Sequence, residues 1–170
     1  MQGNSKYRQG FTLVEVLIVV VIIGIAGAIV VPNMLQGGQL GLQGAVRMVI
    51  ADAVYAQNEA IAHQANRRIQ FDLANNRYHI TDGSGTTLNA SWKAGADEGE
   101  NYFVDFDHDQ RFQNVQLVAV DFAGTDTLEF DALGSPKNGG TVELSTGTFR
   151  YRITVAPFTG QITIAEVAGG

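Results

Sequence analysis

RQGFTLVEVLIVVVIIGIAGAIVVP, residues 8–32, is the stretch on which the fold turns. From Phe11 to Val31 it holds 21 residues whose only polar side chains are Thr12 and Glu15. Wound as a helix at 1.5 Å per residue, that run extends about 31 Å, the thickness of a bilayer's hydrocarbon core. Lys6 and Arg8 precede it, and by the positive-inside rule they put the N-terminus on the cytoplasmic side. Glu15 does not fit a plain anchor: a carboxylate within a membrane helix costs roughly 2.5–3.5 kcal/mol at the centre, less near the end, and calls for a partner.

Outward from this run the chain changes character. Pro32 lacks an N–H and should bend or weaken a helix, and Gln36–Gly44 (QGGQLGLQG) carries four glycines in nine residues. Whether the helix breaks there or continues in a bendable form is open from the sequence. From Ala45 a three- and four-residue spacing returns at Val46, Val49, Ile50, Ala53, Val54, Ala60 and Ile61, with Arg47, Asp52, Gln57, Asn58 and Glu59 opposite. That pattern predicts an amphipathic helix to about Gln64, with one face against a sheet.

After Asn66 the period falls to two. Residues 68–73 and 77–81 read as a hairpin turning at Asn75–Asn76, residues suited to positive φ. Residues 82–101 read as loop, and further strands are expected at 102–106, 115–122, 127–131, 140–145, 148–156 and 160–166, separated by glycine-bearing turns. Phe103, Phe106, Phe122 and Phe158 are assigned to the β core. The expected class is α+β: a long N-terminal helix, transmembrane in its first half and amphipathic in its second, packed on an antiparallel β-sheet domain. The segments are a leader at 1–10, an apolar helix at 11–35, a glycine-rich hinge with amphipathic helix at 36–66, and a β-rich domain at 67–170.

Charge narrows the partners. The net charge is −6; without Lys6 and Arg8, nine cations face seventeen carboxylates, 9 − 17 = −8. An acidic surface repels phosphate backbones, and the local cations, Arg67–Arg68 and Arg150 with Arg152, are few, so nucleic acid is an unfavoured partner. The absence of cysteine excludes thiolate nucleophiles, zinc–thiolate sites and disulfides.

The N-terminal residues admit a secretory signal with Ala26-Gly27-Ala28 as its cleavage site, or a simple anchor; neither needs Glu15. The run Gly10-Phe11-Thr12-Leu13-Val14-Glu15, behind a basic leader and ahead of an apolar stretch, resembles the cleavage and methylation signal of type IV pilin-like proteins, a family that includes the pseudopilins of type II secretion. Gly24 and Pro32 stand where that family's helix often carries its glycine and proline, as points of bending. The resemblance implies cleavage after Gly10 by a prepilin peptidase and N-methylation of Phe11. It also implies pairing of Glu15 with a neighbouring subunit's N-terminal amine in a filament. Unpaired in a low-dielectric bundle, that carboxylate would be costly.

The later phrases NEAIAHQANRRIQF, LEFDALGSPKNGGTVEL and YRITVAPFTGQITI are similar to the GspH/FimT group of minor pilins and pseudopilins. This implies a minor pseudopilin-like structural subunit of an envelope-spanning filament. Before assembly it would sit in the bacterial inner membrane as a single-pass protein, its C-terminal domain periplasmic. Its partners would be other pilin-like subunits, the prepilin peptidase and methylase, and exported cargo. The alternatives are a FimT-type minor pilin acting in pilus assembly or DNA uptake, against which the terminus TGQITIAEVAGG offers no cation, and an exported calcium-binding domain.

The calcium alternative rests on Asp105, Asp107 and Asp109 in DFDHD, which alternate like the start of a calcium loop. Gln110 stands in place of the turn glycine and Gln116 in place of the bidentate glutamate. His63, His79 and His108 have no metal-ligand spacing, with His63 expected on the surface near a helix end and His79 on a strand. Glu129 and Asp131 share a strand face and read as solvent-facing. No catalytic motif appears, and no cofactor or enzymatic activity is expected.

Overall fold

The structure, a computed structural model, describes residues 12–90, 92, 101–112 and 114–168, with the side chains of 27–37 and 168 outside the description. The expected leader, Gly10 and Phe11 lie outside the described residues. The chain divides into two compact units, 1–37 and 38–170.

The one α-helix among the described residues, α1, runs Leu13–His63. It starts at a cap. The Glu15 N–H donates to Thr12 Oγ1 at 3.2 Å and the Val16 N–H to the Thr12 carbonyl at 3.2 Å, so Thr12 satisfies donors that a helix start leaves open. It stops at a Schellman turn. Gln64 takes φ 49°, its N–H reaches the Ile61 carbonyl and the Ala65 N–H reaches the Ala60 carbonyl, the paired bonds that close such an end. Where the sequence left a break open, the helix continues through Pro32 and the glycine-rich run.

Within the second unit the glycines serve close packing. A side-chain carbon at Gly44 would meet the Phe112 ring at 3.4 Å, and one at Gly41 the Arg111 carbonyl oxygen at 3.4 Å. Leu42, Ala45, Val46, Val49, Ala53, Ala56 and Ala60 form the buried stripe. Two residues depart from the expected pattern. Asp52, assigned to the outer face, is buried, while Val54 and Ile61, assigned to the inner face, are 43% and 48% exposed. The stripe follows the alanines rather than the larger apolar residues, because small side chains let the helix approach the sheets closely.

Among the described residues eight strands follow: β1 Arg67–Asp72, β2 Arg77–Asp82, β3 Phe103–Asp105, β4 Gln116–Asp121, β5 Thr127–Phe130, β6 Gly140–Thr146, β7 Phe149–Val155 and β8 Ile162–Ala168. They form two four-stranded antiparallel sheets, ordered β3-β2-β1-β5 and β4-β6-β7-β8. The alternating burial of β1, with Arg67, Ile69 and Phe71 inward, is the period-two pattern of a half-covered sheet.

The hairpin between β1 and β2 turns through a short 3-10 helix, Leu73–Asn75, with Asn76 at φ 50°. Asn76 is buried and ties the hairpin to the start of β4. Its Nδ2 donates to the Val115 carbonyl at 2.8 Å and to Asp107 Oδ1 at 2.7 Å, and its Oδ1 accepts the Leu117 N–H at 2.8 Å. Both sheets and the helix share one core, which includes Tyr78, Tyr102, Phe106, Phe122, Phe130, Leu144 and Ile153.

Phe106 and Phe122 are core residues as expected and Phe103 is partly buried. Phe158 is not in the core: it is 83% exposed. It sits at φ 66° in the turn between β7 and β8, where the Gly160 N–H bonds back to the Ala156 carbonyl at 3.1 Å. The turn itself packs near Gln57 and Pro136 at Gly160, while the Phe158 side chain faces solvent.

Candidate functional site

The first unit contributes one feature, the start of α1. Thr12 fixes the helix origin and thereby the position of Glu15 in its first turn, where the helix dipole favours an anion. Thr-x-x-Glu is also the capping-box spacing, which accounts for these residue types locally, but the Glu15 residue is exposed. From Leu13 to Ile25 every large apolar side chain is exposed by about half or more, from Val19 at 49% to Leu13 at 82%, on all sides of the helix. A helix apolar all round requires cover all round, from lipid or from other helices. Among the described residues no helix is long and apolar enough to cross a membrane; the described side chains of the apolar run end at Ala26. Gly24 has open space at its α-carbon.

In the second unit a buried carboxylate joins α1 to the first sheet. Asp52 Oδ2 accepts from the Tyr78 hydroxyl and Oδ1 from the Tyr102 hydroxyl, each at 2.6 Å. Tyr78 stands on β2 and Tyr102 immediately before β3. Burial first, and the Asp52 carboxylate second, push both tyrosine pKa values above their ordinary range. Tyr55 stacks on Tyr102 with ring centroids 5.1 Å apart, and Trp92 meets both rings edge-on. This clamp was not legible beforehand, because an acid between Ala51 and Ala53 reads as the polar side of the helix. The one available cue is a carboxylate three residues from both Val49 and Tyr55, in step with the buried stripe.

The three aspartates of DFDHD do not converge. Asp105 accepts from the Asp107 and His108 N–H groups and pairs with the His108 ring at 2.9 Å. Asp107 holds Asn76 and Gln116, and Asp109 holds Arg111. Among the described residues no group of three His, Asp or Glu is placed to hold a metal ion. His63 is exposed beside Glu59 at the helix end, and His79 lies on β2 bonded to Gln70 at 2.8 Å.

The arginines singled out as a possible basic patch are engaged. Arg68 pairs with Glu129 at 3.3 Å, Arg150 and Arg152 share Glu143 at 3.7 and 2.7 Å, and Arg67 is buried. Glu129 is therefore not simply solvent-facing. Burial pushes its pKa up, but hydrogen bonds from Arg68 and Asn66 outweigh that and hold it below the usual carboxylate range.

Comparison with known proteins bears on the N-terminal segment and the domain separately. Residues 5–31 match the prokaryotic N-terminal methylation motif, and residues 45–160 match the type II transport protein GspH. The chain is 33% identical over 81 residues to the type II secretion system core protein G of Pectobacterium carotovorum subsp. carotovorum, covering 47% of this chain and 45% of that protein. To the protein of the same name from Aeromonas hydrophila it is 37% identical over 79 residues, covering 46% and 48%. The chain thus spans about half the length of the curated relatives it matches.

Among solved structures it is similar to the minor pseudopilin EpsH from the type 2 secretion system of Vibrio cholerae. The TM-score is 0.50 at 12% identity, covering 76% of this chain and 98% of that one. It also resembles the type IV minor pilin FimU of Pseudomonas aeruginosa PAO1, with TM-score 0.48, 18% identity and coverage of 73% and 87%. The first likeness shows the fold: an α+β pilin-like arrangement of an N-terminal helix and antiparallel sheets. Because the domain match spans well over half of its residues, the chain belongs to the family of the type II transport protein GspH.

Proposed function

We propose that the protein is a minor pseudopilin of a type II secretion system, a structural subunit rather than an enzyme. The precursor is cleaved after Gly10 and N-methylated at Phe11, then drawn from the inner membrane into an envelope-spanning filament. The observation that carries this reading is the start of the helix in the first unit, which has a defined origin at Thr12, an exposed acid one turn in, and, over the described side chains to residue 26, an otherwise apolar surface with no polar side. In lipid this helix covers its apolar faces but leaves Glu15 without a counter-charge. Among parallel, staggered helices the same faces stay covered, and the carboxylate meets a neighbour's methylated amine. The difference favours the bundle over the membrane and selects one stagger, since an unpaired charge in a low-dielectric setting costs several kcal/mol.

In this reading residues 11–35 span the membrane before assembly, with the N-terminus cytoplasmic and the globular unit on the far side. The prepilin peptidase acts on Gly10–Phe11, and the partners in the filament are other pilin-like subunits. Gly24 and Pro32 allow the helix to bend within the bundle. The globular unit presents its surface to neighbouring subunits or secreted cargo.

The test is Glu15→Gln in the native host, compared with Glu15→Asp. The reading expects E15Q to be inserted, cleaved and folded but absent from sheared or cross-linked filaments, with secretion lost. E15D should recover part of both. Filament incorporation of E15Q at the native level would defeat it.

A further inference from the structure

We propose that the open edge of β8 is a strand-addition site for an extended segment of a partner polypeptide, one that places a carboxylate opposite Ala165. The inference concerns the globular unit alone and stands independently of how the N-terminal helix is used.

The four strand edges of the two sheets are not equally guarded. β3 is three residues long. β5 is covered by its own chain: Phe130 bridges to Pro136, and the Lys137 N–H donates to the Glu129 carbonyl at 2.8 Å. β4 is broken by a register shift between Leu117 and Ala119, and such a bulge twists an edge away from would-be partners. β8 has none of these devices. All seven of its residues pair with β7 in unbroken register, from Ile162↔Val155 to Ala168↔Phe149. It holds neither proline nor lysine, and it terminates its sheet among the described strands. Such an edge presents a row of unpaired backbone donors and acceptors, which an extended chain can complete.

The side chains are consistent with that use. Thr163, Ala165 and Glu166 are exposed and Ile164 is 50% exposed, so both faces of the strand remain available to a further strand's side chains. The apolar Ile164 lies on the same face as the buried Ile153, its partner in register. It continues the inner surface of the sheet to the edge, where an added strand would extend the cover.

Charge states what kind of segment fits. On the outer face Glu143, Arg152 and Ala165 form one row across three strands, and Ser145, Arg150 and Val167 the next. Arg150 and Arg152 share the single Glu143 carboxylate, which leaves that cluster one positive charge in excess; the face's other carboxylate, Asp121, lies on β4 at the far edge, in the row of Thr141. Ala165 is too small to screen Arg152 from the edge. Strands lie about 4.8 Å apart, so a glutamate opposite Ala165 sits two strands from Arg152, within joint reach of two long side chains. On the inner face Glu166 asks for a cation at the adjacent position. A second copy of β8 does not meet this pattern. Its one charge is Glu166, on the face away from Arg152, and it offers no cation. The occupant is therefore a different chain, with a basic residue followed by an acidic one in antiparallel pairing.

The test uses the full-length, isotope-labelled chain in detergent micelles and the peptide Thr-Val-Lys-Glu-Val-Thr-Val, whose glutamate faces Ala165 when the peptide pairs antiparallel. The control is the same peptide with lysine and glutamate exchanged. At millimolar peptide the first should shift and slow the exchange of backbone amides within Thr163–Val167, with the control at least roughly tenfold weaker, because the exchange reverses both charge complements, at Arg152 and at Glu166. Ala165→Glu, an exposed change that offsets Arg152 and sets a like charge against the peptide's glutamate, should abolish the response while the thermal midpoint stays put.

Absence of any response at β8 would overturn the site, and equal response to both peptides would overturn the assignment of its ligand. Protection of β8 that rises with the chain's own concentration, without peptide, would give the edge to a second copy and overturn the proposed occupant.

Discussion

Asp52→Ala removes the carboxylate that joins α1 to Tyr78 of β2 and to Tyr102 immediately before β3. Tyr78 is 0% and Tyr102 2% exposed, and both hydroxyls donate to the Asp52 carboxylate at 2.6 Å. A hydrogen bond to a charged group contributes about 1.5–3 kcal/mol, and leaving a buried hydroxyl unpaired costs about 1–3 kcal/mol. These are two views of the same loss rather than separate terms, so the pair of bonds implies about 3–5 kcal/mol. For a domain of this size that corresponds to roughly 10–20 °C in the thermal midpoint.

The assay is urea unfolding followed by tryptophan fluorescence, since Trp92 packs against both Tyr55 and Tyr102. Y78F and Y102F complete the comparison. Each alone should cost less than D52A, and each should lose most of its effect in the D52A background, because the partner is already gone. A D52A midpoint within about 0.5 kcal/mol of wild type, the range of an ordinary surface change, would refute the claim that this carboxylate joins helix and sheet.

Three further predictions follow from the globular unit. Asn76→Ala removes three hydrogen bonds and replaces a residue held at φ 50°; it should cost about 3 kcal/mol or more in chemical unfolding, with N76D no milder, since its second carboxylate oxygen would face Asp107 Oδ1 and the Val115 carbonyl. The raised pKa values of Tyr78 and Tyr102 mean that the folded state holds these protons more tightly than the unfolded chain. Their contribution is complete below about pH 10, where free tyrosine titrates, and is lost as pH rises toward the folded values. Alkaline unfolding by circular dichroism should therefore begin above about pH 10, with buried tyrosinate absorbance appearing together with it. Gly140→Ala would put a methyl group onto the Asp121 carbonyl oxygen and 2.8 Å from the Phe122 α-carbon. Because backbone cannot swing aside, G140A should destabilise by about 1–3 kcal/mol, measured as a lowered thermal midpoint.

The order of elements was legible in the sequence because hydrophobic period and turn residues are local signals. Each strand expected after Asn66 is present, and the helix ends one residue short of the expected Gln64. The division into two sheets was not legible, since strand order depends on long-range pairing such as β1 with β5. Asp52 and Val54 exchanged faces relative to expectation for a related reason. A stripe of alanines carries little hydrophobic signal, yet it decides which side of the helix can approach the sheets. Phe158 reads as core in any list of aromatics, and only the turn around it shows that it faces solvent. The N-terminal feature was more legible because its logic is almost wholly one-dimensional, an acid near the start of an apolar run; the Thr12 cap that fixes the helix origin was not read from the sequence.

The central claim is that the chain works as a processed, filament-forming subunit whose new N-terminus is Phe11. The measurement that bears on it most directly is the intact mass and N-terminal peptide of the protein purified from the membranes of its native host. A chain beginning at N-methyl-Phe11 is expected, with loss of that species when Gly10 is replaced by a bulkier residue. A chain beginning at Ile29 would mean a conventionally secreted domain and would contradict both the processing and the role given to Glu15.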